Sequence, residues 1–246
     1  MSTTQAQKPL GIKNYGHIPH LPGSRMGPGD HKVNPGQDRI CTRQARDRHD
    51  VITVTEKLDG SNVGVALRGG ILHPLSRAGY NVNTSTYEQH WRFGEWVYEH
   101  QNRFLALLEE GERLVGEWLM QAHGTRYELR HEPFVAFDLM RGSERANSEE
   151  FNARVKPLFT TPAVLHVGGP LPIDAALTLL GTYGKHGALD PVEGAVWRVE
   201  RKGKVDFLAK YVRPDKVDGC YLDRLNDREP VWNWHPHIQR APAPEG

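Results

Sequence analysis

The chain has 246 residues, a formal net charge of +1, 38% hydrophobic and 25% charged residues, which describes an ordinary soluble globular protein long enough to bury a sizeable core. That balance excludes a global basic field for gripping nucleic acid, so any such surface must be a local patch. No apolar run approaches the length of a membrane span, so no membrane partner is expected. Two cysteines, Cys41 and Cys220, offer neither zinc spacing nor a disulfide framework. They fit a reducing cytoplasm, and the polar start of the chain predicts no signal peptide.

Taken in order, residues 1–10 read as a loose terminus, and 21–37, rich in Pro and Gly, as loop. Strands are predicted over 52–54, 63–67 and 71–76, with Asp59-Gly60 and Gly69-Gly70 as the two hairpin turns that join them. Residues 87–110 carry helical periodicity, with Trp91, Val97, Leu105 and Leu108 among the apolar positions and Gly111 as the stop. Buried strands are expected over 114–119 and 134–139. Two short helices follow between 148 and 180, the second opened by Pro172 and Asp174 and closed by Gly181. A hairpin over 192–199 and 205–212 turns at Arg201-Lys202-Gly203-Lys204. The pattern predicts an α+β fold of antiparallel sheets with flanking helices, one domain over 1–240, and a disordered Pro/Ala-rich tail at 241–246.

Several elements carry a group suited to handling a nucleotide, and each has an ordinary structural alternative. Lys57 stands two residues before Asp59-Gly60, where a lysine amine can act as a nucleophile on a phosphate; taken alone, the stretch reads as a surface hairpin. Asn62, just past the turn, can reach a phosphate or a metal-bound water, or simply cap the turn. Arg77, at a strand end, offers paired donors to phosphate or ribose oxygens. Glu117 is a carboxylate in an apolar strand, costly there unless partnered by a ribose hydroxyl, a hydrated metal or a salt bridge. Phe137, followed by Asp138, can stack on a base for roughly 1–3 kcal/mol, or pack in the core. Glu193 opens a strand where it can hold a divalent cation, and Lys210 on the partner strand can neutralise a phosphate.

Together and in this order, these elements resemble the covalent nucleotidyltransferase superfamily of ATP-dependent ligases and RNA capping enzymes. The nearest likeness is to ATP-dependent RNA ligases of the nick-sealing type. Glu56-Lys57-Leu58-Asp59-Gly60-Ser61-Asn62 looks like their nucleophile motif. Gly116-Glu117-Trp118-Leu119, then His123 and Tyr127, then 134–139, resembles the run from ribose carboxylate to base-stacking aromatic. Glu193-Gly194-Ala195-Val196 looks like the metal motif and Lys210 like the closing lysine. The likeness covers about 15–213.

The resemblance implies an ATP-grasp-like ligase domain in which Lys57 takes AMP from ATP through a phosphoramide bond. AMP would pass to a 5′-phosphate RNA end, nicked or single-stranded, which a 3′-hydroxyl then seals. Lys57 and Lys210 would be catalytic. Glu56, Asn62, Arg77, Glu117, Phe137, Asp138 and Lys210 would bind nucleotide. Glu193 and Glu117 would hold Mg²⁺, with Mn²⁺ as a substitute. Two departures stand out. The closing motif usually has two basic residues two apart, but the earlier position is Leu208, leaving Lys202, Lys204 or Arg213 to supply the charge. Little chain follows Lys210, so a nucleic-acid footprint would fall to Arg201, Lys202, Lys204, Arg213 and Lys216, or to a partner protein. The alternatives are a GTP-using capping guanylyltransferase and a non-catalytic nucleotide- or RNA-binding module.

Overall fold

Alternating apolar residues build two antiparallel sheets that face each other across a cleft. The computed structural model describes residues 8–217, 219–222 and 229–234; the expected tail at 241–246 lies outside them. The strands are β1 Asp50–Lys57, β2 Ser61–Arg68, β3 Ile71–Ser76, β4 Glu112–Trp118, β5 Phe134–Arg141, β6 Glu144–Arg145, β7 Val164–Gly168, β8 Gly194–Arg201 and β9 Lys204–Val212. One sheet has the order β7-β1-β8-β9 and the other β3-β2-β4-β5-β6. The helices are α1 Gln37–Thr42, α2 Glu88–Glu99, α3 Gln101–Leu107, α4 Ser148–Arg154 and α5 Ile173–Leu180.

Each sheet turns one face to helices and the other to the cleft. Phe93, Trp96, Val97, Phe104 and Leu107 of α2 and α3 pack on Val63, Val65, Leu114, Trp118, Phe134 and Leu139. Behind the other sheet, Ile52, Val54, Trp197 and Val199 meet Leu21, Cys41 and Ala176. A smaller cluster of Tyr15, Val115, Met140 and Leu208, with Phe137 and Val196 against it, joins the sheets across the cleft floor.

The main correction concerns Asp59-Gly60, which is not a hairpin turn. β1 pairs with β7 and β8, whereas β2 pairs with β3 and β4, so residues 58–60 cross from one sheet to the other. Two-residue hairpins of the favoured kinds need positive φ at the first central position or at both. Gly69-Gly70 (φ 60° and 70°) and Lys202-Gly203 (φ 51° and 75°) meet that need, and neither Asp59 nor Gly60 has a positive φ. Gly60 is required for close approach instead, since a Cβ there would lie 2.5 Å from the Trp118 carbonyl oxygen.

Four further differences are local. The helix expected over 87–110 breaks at His100 (φ −106°, ψ 18°). The His100 ring stacks on Trp96 with centroids 4.5 Å apart, and its Nδ1 lies 2.8 Å from the Trp96 carbonyl oxygen. Trp91 and Leu105 face solvent rather than core. The short edge strand β7 fills the stretch between the two expected helices, and α1 follows directly on the expected loop.

A bulge sets the cleft wall. Val115 pairs with Asp138 but Gly116 pairs with Ala136, leaving Phe137 as the extra residue of β5. Such an insertion re-aims side chains, so Phe137 and Asp138 both turn away from the α2 core that Ala136 and Leu139 enter. Gly116 fits under it because a Cβ would stand 2.5 Å from the Phe134 ring and 2.7 Å from the Val135 carbonyl oxygen. Gly116→Ala is therefore expected to cost about 1–3 kcal/mol, the usual range for overpacking. Urea denaturation measures this, and unchanged stability would contradict the bulge account.

Candidate active site

The crossover puts Lys57, the last residue of β1, at the mouth of a cleft of about 1400 Å³. Alternation along β1 sends Thr53, Thr55 and Lys57 to the cleft, and Ile52, Val54 and Glu56 to the opposite, buried face. The Lys57 Nζ lies 2.7 Å from Glu193 Oε2. Glu193 immediately precedes β8. Gly194 follows because a Cβ there would collide with the Tyr211 carbonyl oxygen at 1.9 Å. Glu117 stands opposite Asn62 on β4 and accepts the Gly60 N–H at 3.1 Å.

Charge in this group is tightly coupled. Burial pulls the Lys57 ammonium towards losing its proton, but the Glu193 and Glu117 carboxylates outweigh it and the net shift is upward. This pairing holds Lys57 as an ammonium. Burial pushes the Glu117 carboxyl up to about 7; Lys57 opposes this and the Glu193 charge adds to it.

Among the described residues, no three His, Cys, Asp or Glu side chains converge on a metal position. Mg²⁺, however, is often bound by one or two carboxylates together with substrate phosphates and waters. Glu193 and Glu117 fit that mode, and Glu117, burdened by a neighbouring like charge, is a group that a cation would relieve.

The remaining predicted residues all gather on the same cleft. Asn62, Arg77, Phe137, Asp138 and Lys210 all line it. Lys210 pairs with Val196 across β8 and β9, and its Nζ lies 3.6 Å from Asp30 Oδ1. Burial and the nearby Lys57 charge pull the Lys210 ammonium down. The Asn62 Oδ1 is buried without a hydrogen-bond partner, so it sits in the sheet and is no turn cap. Phe137 meets Tyr15 edge-on at 5.2 Å and presents its ring to the cavity. Asp138 accepts from Tyr15 Oη, Arg145 Nε at 3.1 Å and Arg198 Nη1 at 2.6 Å, which fixes one cleft wall to the other.

Glu56 lines the cleft too, but without its carboxylate. Its carboxylate points away from the Lys57 face and accepts the Lys185 N–H at 2.8 Å, so any contact with nucleotide falls to its main chain.

Neither departure resolves as the sequence implied. Lys202, Lys204 and Arg213 do not line the cleft. Lys202 turns the distal hairpin, and Arg213 Nη2 donates to the Gly181 carbonyl at 2.6 Å. Leu208 faces Arg198 across the ladder, so the cation nearest the vacated position comes from β8. Arg201 is paired with Asp47 and Asp50, and Lys216 is buried; neither belongs to an open phosphate-binding surface. Sequence reasoning missed Arg198, although β8–β9 register would have found it. It also missed Tyr15, His20 and Asp30, which reach the cleft from the N-terminal loop with no local signal. Tyr127 and His123 take supporting positions: Tyr127 Oη accepts the Asp59 N–H at 3.1 Å, and His123 Nε2 lies 3.2 Å from Gln89 Oε1.

A model of the RNA ligase family matches residues 50–212, well over half of the chain, and the chain belongs to that family. No curated protein sequence matches it. Among solved structures, Naegleria gruberi RNA ligase with PPi is similar with a TM-score of 0.52 and 16% identity, over 79% of this chain and 58% of that one. A mutant of the same ligase with ATP and Mn gives a TM-score of 0.51 and 15% identity, over 80% and 59%. At such identities the likeness establishes the nucleotidyltransferase fold. The chain spans about three fifths of the length of those ligase chains.

The buried Glu56 yields a pH prediction. Burial pushes its carboxyl up to about 7, and the Lys185 N–H offsets this only in part. Below the ordinary value of 4.5 the group is protonated both folded and unfolded and carries no penalty. As pH rises from there towards 7, the unfolded chain ionises first, so stability falls across that window. Glu56→Gln should flatten this fall and stabilise the protein at about pH 8 relative to wild type. Urea denaturation at about pH 5 and about pH 8 checks it; identical pH dependence in both proteins would contradict the burial argument.

Proposed function

We propose that this protein is an ATP-dependent RNA ligase working through a covalent lysyl-AMP intermediate. The observation that carries the reading is Lys57 paired with Glu193 at 2.7 Å, beside Glu117 and Lys210, in one cleft of an RNA-ligase-family chain. The adenine would stack on Phe137. The ribose would meet Glu117, and the phosphates would lie among Lys57, Arg77 and Lys210. Once the Lys57 ammonium has given a proton to water, its Nζ lone pair attacks the α-phosphorus. The bond to the bridging oxygen breaks, pyrophosphate leaves with that electron pair, and a second N–H proton passes to water to leave the neutral phosphoramide nitrogen. A divalent cation on Glu193 and Glu117, Mg²⁺ by preference for oxygen ligands and Mn²⁺ as in the similar structure, would neutralise phosphate charge and remove the pairing that keeps Lys57 protonated.

AMP then passes to a 5′-phosphate RNA end, and a 3′-hydroxyl displaces it. The cleft exceeds the roughly 300–1000 Å³ of an ordinary small-molecule site, which supports room for strand ends beside the nucleotide. We read 1–240 as a single catalytic domain acting in RNA repair in the cytoplasm, with a partner protein able to extend its grip on RNA. No described helix is long and apolar enough to cross a membrane. The family match disfavours the capping alternative, and the retained Lys57, Glu117, Glu193 and Lys210 disfavour the non-catalytic one.

Incubation with labelled ATP, GTP or NAD and a divalent cation, followed by a denaturing gel, separates these readings. Label is expected from ATP alone, and expected to vanish in Lys57→Arg, whose guanidinium stays protonated. Label from GTP would indicate the capping reading, and no label from any nucleotide the non-catalytic one.

A further inference from the structure

Lys216 lies beyond the segment that matches the family, and its side chain is only 5% exposed. A buried ammonium is costly unless oxygens satisfy its three N–H groups. Here Nζ donates to the Gly124 carbonyl at 2.7 Å, to the Pro191 carbonyl at 3.1 Å and to Thr125 Oγ1, and lies 3.2 Å from Asp59 Oδ2. That same Asp59 oxygen accepts the Gly124 N–H and the Thr125 hydroxyl, each at 3.1 Å. Gly124 leaves no room for a side chain, since a Cβ would stand 2.5 Å from the Val217 carbonyl oxygen and 2.8 Å from Asp59 Oδ2.

These partners are the frame of the site. Asp59 lies two residues after Lys57, Pro191 two before Glu193, and Gly124 and Thr125 on the segment leaving β4, which carries Glu117. β1 holds Lys57 from its N-terminal side through pairing with Gly194. On the other side, Leu58 and Asp59 pair with no strand. A missing ladder there must be replaced if the nucleophile is to stay in place, because a displacement of about 1 Å can cost roughly 100-fold in rate.

We propose that Lys216 is a positioning residue for adenylyl transfer. Its ammonium is a fixed internal cation that clamps the crossover at 58–60 to the approach of Glu193 and to the 124–125 segment. The catalytic half of this proposal rests on the ligase reading; the clamp itself does not.

The test uses the full chain and Lys216→Met, which keeps the stem and removes the charge. Two readouts are taken beside wild type: hydrogen exchange of residues 58–62 and 124–127 without nucleotide, and self-adenylylation rate against ATP concentration. Exchange in these segments should rise at least about tenfold with β4 and β5 unchanged. The rate at saturating ATP should fall roughly 10- to 100-fold, with KM within about threefold. Methylammonium should restore part of the rate in Lys216→Ala. Unchanged exchange in a protein that labels normally would overturn the clamp. A drop in Tm without a fall in rate per folded molecule would overturn the positioning role. Should Lys216→Met fail to fold, Thr125→Val, which removes the hydroxyl shared by Lys216 and Asp59, must show the same exchange rise, and its absence would overturn the proposal. A wild type that takes no label would overturn the ligase reading and the catalytic half with it, while the exchange data still judge the clamp.

Discussion

Residues 58–60 carry the chain from one sheet to the other, and the candidate site is assembled at both ends of that step. Lys57 belongs to the first sheet, Asn62 to the second. Because β1 and β2 do not pair, a gap must open between the sheets, and the gap is the cleft. Glu193 enters it from the first sheet and Glu117 from the second, so the lysine is met by a carboxylate from each wall. Gly60 permits the step by letting the chain pass against the Trp118 carbonyl oxygen, and the Glu117–Gly60 hydrogen bond fastens its far end.

The cleft balances its charge internally. Lys57 is paired with Glu193 at 2.7 Å, Arg198 with Asp138 at 2.6 Å, and Lys210 with Asp30 at 3.6 Å. In a partly buried cleft an unpaired charge is expensive, and removing one partner of a pair leaves the other stranded. An incoming triphosphate would compete with these carboxylates for the same cations. The long Lys210–Asp30 contact yields most readily, whereas Arg198, also bonded to Glu200 and the Ala146 carbonyl, stays with the wall. Leu208 then fits the design: its place opposite Arg198 belongs to the apolar floor with Tyr15 and Val115, leaving Lys210 as the β9 cation that faces the cleft.

Much of this was legible in the sequence because it is local. Strand alternation located β1 to β5, β8 and β9, turn glycines located two true hairpins, and the order of motifs picked out Lys57, Glu117, Phe137, Glu193 and Lys210, which the fold brings to one cleft. What was not legible depends on contacts distant along the chain. Asp59-Gly60 has the composition of a hairpin turn, and only the pairing of β1 with β8 and of β2 with β4 makes it a crossover. Glu56 neighbours the nucleophile, but strand alternation places its side chain on the other face. Asp138 followed Phe137 as a binding candidate, and its place beside the bulge also makes it the point where Arg198 ties the walls together. Asp30, Tyr15 and Lys216 reach the site from outside the motifs at 56–210, so no spacing rule could assign them their places.

The central claim is that this arrangement makes one particular lysine the nucleophile, and peptide mapping of ATP-treated protein by mass spectrometry tests it most directly. The account predicts a single AMP adduct on the peptide containing Lys57, with the acid lability of a phosphoramide bond. An adduct on Lys210, on any other residue, or with the stability of an ester would contradict it.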